Sequence, residues 1–154
     1  MSDNIPATTT IVLTNRLHHH HHSSLPLILS LTAEERTRSR HHFSTEDGTP
    51  IYLQLPRGTT LHEGDLLTGD RHDILVKVTA KPEPVLTVTS DDSINLLRAA
   101  YHLGNRHVSL EITSTYLRLA PDSVLAGMLT QLGLQVVTEV APFSPQGGAY
   151  SHHH

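Results

Sequence analysis

In the first half of the chain, short apolar runs alternate with turn-forming residues, which is the pattern of an all-β domain. The apolar runs occupy residues 10–14, 25–31, 51–55, 66–68 and 74–79. The segments between them are rich in Gly, Pro and Asp, and the pair Asp47-Gly48 suits a tight turn because both residues tolerate positive φ. We therefore expect residues 1–80 to form an N-terminal all-β domain.

The second half alternates strand patterns with helix patterns. The segment Lys81-Pro-Glu-Pro interrupts regular structure, since neither proline can donate a backbone hydrogen bond, and a domain boundary is expected there. Strands are predicted at residues 85–89, 108–112, 116–119 and 134–140, with one helix after the first strand and another after the third. This β-α-β-β-α-β order predicts a ferredoxin-like domain over residues 81–143, so the fold class is α+β. Residues 144–154 are expected to be a flexible tail that carries histidines.

The apolar positions of the two predicted helices repeat with the 3.6-residue period of an α-helix. In the first helix Ile94, Leu97 and Tyr101 share one face, with Leu96 and Ala100 beside them. In the second helix the expected buried face consists of Val124, Met128 and Leu132, with Leu125 and Leu129 alongside. One of residues 90–92 is expected to cap the first helix, and Asp122 complements the positive end of the second. Gly104 and Gly133 are expected to end the helices, because glycine readily adopts the left-handed conformation found there.

Composition limits the classes of function. The chain has 154 residues, a formal net charge of −4 and no cysteine. The acidic balance argues against a nucleic-acid-binding protein, and no apolar run is long enough for a transmembrane helix. The lack of thiols excludes disulfides, iron–sulfur clusters and cysteine nucleophiles, and no catalytic sequence motif is present. We therefore expect a cytoplasmic protein that is not an enzyme and that binds neither nucleic acid nor membrane.

Histidine is the abnormal feature of the composition. The 14 histidines outnumber the 11 Lys and Arg residues, and they cluster at residues 18–22, 41–42 and 152–154. Imidazole is the commonest side-chain ligand of nickel, copper and zinc, so the clusters predict a protein that binds a transition metal. The run at residues 18–22 is interpreted as a metal buffer, with a solvated loop or a cloning artefact as alternatives. Residues 41–42 follow three arginines and are interpreted as a solvated face or as a docking surface for acidic partners.

Two further histidines lie near the expected end of the first helix. His102 is in the last helical turn, where a favourable interaction with the helix dipole explains it as well as metal binding does. His107 is expected among the first residues of the next strand. Because the apolar positions that follow are Val108, Leu110 and Ile112, packing does not explain His107, which is expected at a surface or an interface.

A resemblance to a known family rests on this helix end. Residues 100–108 read Ala-Tyr-His-Leu-Gly-Asn-Arg-His-Val, and this stretch resembles the metal-site segment of the UreE family, the nickel metallochaperones of urease assembly. The resemblance continues at residues 31–40, at Pro121-Asp-Ser-Val-Leu and at Ala141-Pro-Phe-Ser-Pro. It therefore covers most of the chain.

The resemblance implies delivery of nickel(II) for assembly of the urease active site. It implies a homodimer formed by the ferredoxin-like domain and an N-terminal domain that engages protein partners, namely the urease GTPase accessory protein and the apo-urease complex. The implied metal site lies on the dimer axis and contains His107 from each subunit. Further candidate ligands are His102, His152, His153 and His154. Such a site also allows a metal-linked tetramer. Zinc(II) and copper(II) suit the same imidazole ligands, so the choice of nickel rests on the resemblance.

The chain departs from the family in one segment, and two other classes of function are compatible with its histidines. Some members carry extra histidines just before the second helix, where this chain has Ala-Pro-Asp-Ser at residues 120–123, so no peripheral metal site is expected there. A metal-dependent hydrolase would use His107 and His102 with an acidic residue, but no acidic residue is suitably spaced. A general histidine-rich storage or interaction protein would buffer metal with its tracts and leave the central motif structural. Imidazole must be neutral to bind metal, so binding is expected to weaken below about pH 6.5.

Overall fold

The chain divides after Ala80 into two units, Met1–Ala80 and Lys81–His154. The computed structural model describes residues 10–17, 25–69 and 74–147. The histidine runs at residues 18–22 and 152–154, together with His72, lie outside the described residues. Within the described ranges, no helix has the length and apolar character needed to cross a membrane.

The first unit is built from strands that form two β-sheets. In chain order the strands are β1 (Ile11–Leu13), β2 (Asn15–Leu17), β3 (Leu27–Leu31), β4 (Arg40–Ser44), β5 (Pro50–Gln54), β6 (Leu66–Thr68) and β7 (Leu75–Ala80). A three-stranded sheet has the order β1-β5-β4, and a four-stranded sheet has the order β2-β6-β7-β3. Apart from a short 3-10 helix at Glu35–Thr37, the described regular structure is all β, and the predicted N-terminal β domain is confirmed.

Apolar side chains from both sheets form the core of this unit. Leu13, Leu29, Leu53, Val76 and Val78 are fully buried and belong to one cluster. Val76 and Val78 are two residues apart, the spacing at which strand side chains share a face. Burial of a side chain of this size stabilises the fold by roughly 1.5–3 kcal/mol, and this shared core explains how such short strands are stable.

Strand β4 is not predicted from the sequence pattern, because its residues read Arg-His-His-Phe-Ser. It is an edge strand that pairs antiparallel with β5, and most of its side chains are exposed. It therefore lacks the apolar alternation that identifies a strand. The turn that follows contains Gly48 with φ of 87°, which confirms the predicted turn at Asp47-Gly48. His41 and His42 thus lie on a strand, and the ring of His42 is 4.5 Å from that of Tyr52.

The second unit has the predicted β-α-β-β-α-β order. Its elements are β8 (Glu83–Thr89), α1 (Ser93–Asn105), β9 (Glu111–Ile112), β10 (Leu117–Leu119), α2 (Ser123–Gln131) and β11 (Gln135–Ala141). The four strands form one antiparallel sheet in the order β11-β8-β10-β9. This is the ferredoxin-like arrangement, and the predicted α+β fold class is confirmed.

Strand β8 begins earlier than the sequence predicts. It includes Pro84, which pairs with Val140 of β11. On its other side β8 pairs with β10 only from Leu86 to Val88, so the missing N–H of Pro84 interrupts no bond to β10. A proline is compatible with a strand under that condition, and regular structure therefore starts at Glu83 instead of Val85.

The apolar face that the sequence shows on α1 is exposed, and the predicted buried face of α2 is only partly correct. Ile94, Leu97 and Tyr101 are exposed on α1, and the residues buried in their place are Leu96, Ala99 and Leu103. On α2, Val124 and Leu132 are exposed and Leu129 is buried, with Met128 packed against the core at its edge. Each helix carries apolar residues on more than one face, so periodicity alone does not say which face contacts the sheet.

The helix starts agree with the sequence. The side chain of Asp92 accepts a hydrogen bond from the N–H of Ile94, and the side chain of Asp122 accepts from Val124 and Leu125. Each aspartate satisfies donors that the first turn leaves unpaired and lies at the positive end of the helix dipole. Gly133, with φ of 87°, ends α2 as predicted.

The segment after β11 is more ordered than its Pro-rich and Gly-rich composition predicts. Phe143 is only 4% exposed. The N–H of Ser144 donates to Glu111 Oε1 at 2.7 Å, and the N–H of Gln146 donates to the carbonyl of Leu110 at 2.7 Å. The first residues of the predicted flexible tail are therefore attached to the β9 edge of the sheet.

Candidate metal centre

The end of helix α1 differs from the prediction in a way that concerns His107. Gly104 does not end the helix, which continues to Asn105 and has Arg106 as its C-terminal cap. The left-handed residue is instead His107, with φ of 58°. Among the described residues it is the one non-glycine residue with positive φ. His107 is thus the residue that closes α1, and not the start of the next strand.

Backbone hydrogen bonds show how His107 closes the helix. Its N–H donates to the carbonyl of Gly104 at 3.0 Å, and the N–H of Val108 donates to the carbonyl of Leu103 at 3.1 Å. This pair of bonds is the Schellman motif. Leu103 is buried in the apolar core of this unit and Val108 packs against that core, as is common for the apolar residues of this motif. Packing of Leu103 and Val108 thereby selects the helix end and places His107 at the left-handed position.

Helix α2 ends with the same motif but with glycine at the left-handed position. The N–H of Gly133 donates to Thr130 at 3.0 Å, and the N–H of Leu134 donates to Leu129 at 3.1 Å. Glycine adopts this conformation without steric cost, whereas a residue with a Cβ pays about 1–2 kcal/mol. Helix α1 therefore ends at a histidine that is unfavourable for folding, whereas α2 ends at a glycine that is favourable. Such local strain is typical of functional sites.

Replacement of His107 by glycine is expected to raise the free energy of unfolding by about 1 kcal/mol, because the steric cost of the left-handed conformation exceeds the extra chain entropy of glycine. Urea unfolding without metal measures the change. The matched control is Gly133→Ala, which introduces the same strain at the end of α2 and is expected to lower the free energy of unfolding by a similar amount. A destabilised His107→Gly variant would show that the imidazole has a structural role.

His102 and His107 are both exposed at the C-terminal end of α1. The ring of His102 lies 5.6 Å from the ring of Tyr101. His102 is the basic residue of the last turn of α1, at the negative end of the helix dipole. Within residues 10–17, 25–69 and 74–147, no three His, Asp or Glu side chains come together as a metal-binding group.

The C-terminal segment is attached close to His107 in the sequence. Leu110 is three residues from His107, so their Cα atoms are at most about 11 Å apart. Gln146 is hydrogen-bonded to Leu110, and six residues separate it from His152, which can extend at most about 20 Å from it. The attachment of Gln146 thus starts the tail close to the strand that follows His107.

Comparison with known proteins identifies the family. The model for the C-terminal domain of the urease accessory protein UreE matches residues 83–154, and the model for its N-terminal domain matches residues 10–81. The chain belongs to the UreE family. The resemblance noted in the sequence is therefore confirmed. UreE proteins are accessory proteins and not enzymes, which agrees with the prediction that the chain is not an enzyme.

UreE proteins from several bacteria are similar to the chain over most of its length. The urease accessory protein UreE of Nostoc punctiforme is 58% identical over 132 residues, which cover 86% of this chain and 89% of the relative. That of Thermosynechococcus vestitus is 57% identical over 127 residues, 82% of this chain and 88% of the relative. That of Burkholderia lata is 47% identical over 126 residues, 82% of this chain and 60% of the relative.

Proposed function

We propose that the chain is a metallochaperone that carries nickel(II) for assembly of the urease active site. The observation that carries this proposal is His107, an exposed imidazole held in a strained conformation at the end of a rigid helix in a member of the UreE family. Folding alone would favour glycine at this position, as at Gly133. The histidine is therefore best explained as a ligand of the metal.

Two copies of the chain are proposed to share the metal. One His107 is too few ligands for a tight site, and a two-fold axis through this surface would supply a second one. The apolar residues Ile94, Leu97 and Tyr101 support this arrangement, because they are exposed on the helix that His107 closes. A second copy that covers them would remove apolar surface from water and bring the two histidines together.

The tail histidines are proposed to complete the site. His152, His153 and His154 follow the segment that is attached at Gln146, and we expect their imidazoles to bind the metal reversibly. A carrier needs both properties, since the metal must be held during transfer and released afterwards. Imidazole ligands bind nickel and copper strongly and zinc less strongly, so zinc(II) and copper(II) can occupy the same site. A metal that also bridges two dimers would produce a tetramer.

The partners proposed for the loaded dimer are the urease GTPase accessory protein and the apo-urease complex in the cytoplasm. The first unit, with its two sheets and the exposed edge strand β4, supplies surface for these contacts. His41 and His42 lie on that edge beside Arg38 and Arg40, so an acidic partner segment is favoured there.

The proposed function is tested in bacterial cells that express urease without their own UreE, grown at limiting nickel. The intact chain is expected to raise urease activity severalfold, and His107→Asn is expected to give no rise, because asparagine tolerates the left-handed conformation but lacks the imidazole. Urease protein is quantified as the control. A storage protein, which the 14 histidines also suggest, would raise cell nickel without raising urease activity. That outcome, or full activity with His107→Asn, would overturn the proposal.

A further inference from the structure

Strand β4 is bonded to its sheet along one side only. The N–H of Leu55 donates to the carbonyl of Ser39 at 3.0 Å, and the N–H of Thr45 donates to that of Thr49 at 2.9 Å. These bonds join both ends of β4 to β5. The backbone groups of Ser39 and Thr45 thus face β5, and every second residue between them does the same, because the direction alternates along an antiparallel strand.

The other residues of β4 direct their backbone groups away from β5. They are Arg40, His42 and Ser44, and all three are exposed. Among the described residues, none forms a hydrogen bond with the N–H or C=O groups of these three. Such an unpaired row is a template for a further strand, and neither a bulge nor a proline interrupts it.

The other edge strands of the first unit are less suited to pairing. Strands β1 and β2 have three residues each, whereas β4 has five. On β3 the carbonyl of Ile28 accepts a hydrogen bond from the N–H of Glu46 at 3.0 Å, which occupies part of that edge. In the described part of this unit, β4 is therefore the longest edge that another strand can reach.

Arg40 gives the edge a positive charge that no nearby carboxylate balances. Its side chain is exposed, and in the described ranges no Asp or Glu lies within ion-pair distance of it. Arg38, by contrast, is paired, since its Nη2 lies 2.8 Å from Glu34 Oε1. Opposite charges on neighbouring strands attract, so the edge favours a strand that carries carboxylates.

Aromatic rings lie on both faces of this edge. The ring of His42 is 4.5 Å from that of Tyr52, and the ring of His41 is 4.9 Å from that of Phe43. Side chains alternate along a strand, so Arg40 and His42 share one face while His41 and Phe43 share the other. An added strand with carboxylates on the first face and apolar side chains on the second would match both.

We propose that β4 is a docking edge for an extended acidic segment of a partner protein, which adds to the sheet as a further strand and places a carboxylate against Arg40. Main-chain hydrogen bonds supply affinity in this mode of recognition, and alternate side chains supply specificity. The inference deepens the proposed function and rests on it for the identity of the partner, because it specifies how the first unit engages the proteins of urease assembly.

Charge distinguishes this occupant from a second copy of the chain. Two β4 strands that paired with each other would bring Arg40, His41 and His42 of both copies together at one edge. Like charges on neighbouring strands are destabilising, whereas a carboxylate opposite Arg40 is favourable. The acidic segment is therefore the better partner.

The probe is a capped peptide of about seven residues in which Val and Glu alternate, and its control carries Lys in place of each Glu. Each peptide is added at about 1 mM to the intact protein, and NMR measures amide exchange. The Glu peptide is expected to slow exchange at Arg40, His42 and Ser44 at least about fivefold, because their N–H groups then donate to the peptide. The Lys peptide is expected to have no effect, since its charge repels Arg40.

Variants separate the contribution of charge from that of the backbone. Arg40→Glu is expected to weaken binding of the Glu peptide at least about tenfold and to permit binding of the Lys peptide. Lys81→Glu makes the same change of charge at an exposed residue outside β4, and it is expected to alter binding less than about twofold.

His42→Pro removes one outward N–H and is expected to weaken binding of the Glu peptide about tenfold. His42→Thr keeps that N–H and is the matched control, expected to bind like the intact protein. Proline is tolerated on an edge strand where the N–H faces solvent, and urea unfolding verifies that the variant is folded.

The proposal is wrong if the Glu peptide leaves exchange at the three outward amides unchanged, if the Lys peptide binds equally well, or if Arg40→Glu has no effect on binding. Slower exchange when the concentration of the protein alone is raised would also overturn it, since the occupant would then be a second copy.

The proposed carrier function is tested separately in cells at limiting nickel. Arg40→Glu is expected to keep tight nickel binding and to lower urease activity at least about threefold, because docking of the partner is weakened. Full urease activity with Arg40→Glu would overturn the docking role of β4 and leave the proposed function standing. If the intact chain binds the Glu peptide but does not raise urease activity, the proposed function fails and the docking edge stands.

Discussion

Replacement of His107 by alanine is expected to weaken tight nickel binding by at least about 100-fold. Loss of a group that merely supports a metal ligand already costs 10–100-fold, and on the proposed two-fold axis one substitution removes a ligand from each subunit. Weak binding by the histidine runs at residues 18–22 and 152–154 is expected to remain. Isothermal titration calorimetry with a competing chelator measures the tight site separately from the weak ones.

Two control variants make this result specific. His107→Asn is expected to lose the tight site to the same extent, although asparagine accommodates the left-handed backbone. His102→Ala keeps the helix end and His107, so it is expected to weaken binding by less than about tenfold if its main role is the favourable interaction with the helix dipole. Retention of the tight site in both His107 variants would show that the metal binds elsewhere.

Replacement of Leu97 by aspartate is expected to convert the proposed dimer into monomers and to abolish the proposed shared nickel site. Leu97 is 66% exposed in the single chain, between Ile94 and Tyr101 on the surface of α1. In a two-fold interface each substitution occurs twice, and each buried, unpaired carboxylate costs several kcal/mol. The dissociation constant of the dimer is therefore expected to rise by at least about 100-fold, which sedimentation or light scattering measures.

The matched control lies on the other helix of the same domain. Val124 on α2 is 74% exposed, and Val124→Asp is expected to leave the dimer intact because α2 does not end at His107. If Val124→Asp separates the subunits while Leu97→Asp does not, the interface is on α2 and the arrangement of the two histidines is wrong.

The fold class is predictable from the sequence because it depends on the order of patterns along the chain. Alternation of strand and helix periods in the second half is enough to identify a ferredoxin-like order. The side of each helix that packs against the sheet is not predictable in this way. Ile94, Leu97 and Tyr101 are apolar like the buried Leu96, Ala99 and Leu103, so the pattern does not show which face of α1 contacts the sheet.

The residues of the candidate site can be predicted from the sequence, but their geometry cannot. The sequence identifies His107 by the resemblance of its motif, but it assigns the left-handed position to Gly104 because glycine is the usual residue there. The helix instead passes through Gly104, at a cost of about 1 kcal/mol, and ends where Val108 donates to the carbonyl of Leu103 and packs against the core that contains Leu103. This contact depends on tertiary packing, which the local sequence does not contain.

The attachment of the C-terminal segment is likewise a tertiary effect. Pro142, Pro145 and two glycines suggest a mobile tail. The segment is nevertheless held by burial of Phe143 and by backbone donors that find acceptors on distant residues. The sequence signal for this attachment is Arg118, a charged residue in the middle of a predicted strand. A charged side chain at such a position needs polar partners when it is buried.

The measurement that tests the central claim most directly is the number of nickel ions bound tightly by a variant that lacks residues 18–22, determined together with its mass in solution. The proposed site predicts about one tight nickel ion per two chains, bound only by the dimer, because His107 of each subunit contributes to the same metal. One tight nickel ion per chain, bound equally well by a Leu97→Asp monomer, would contradict the claim.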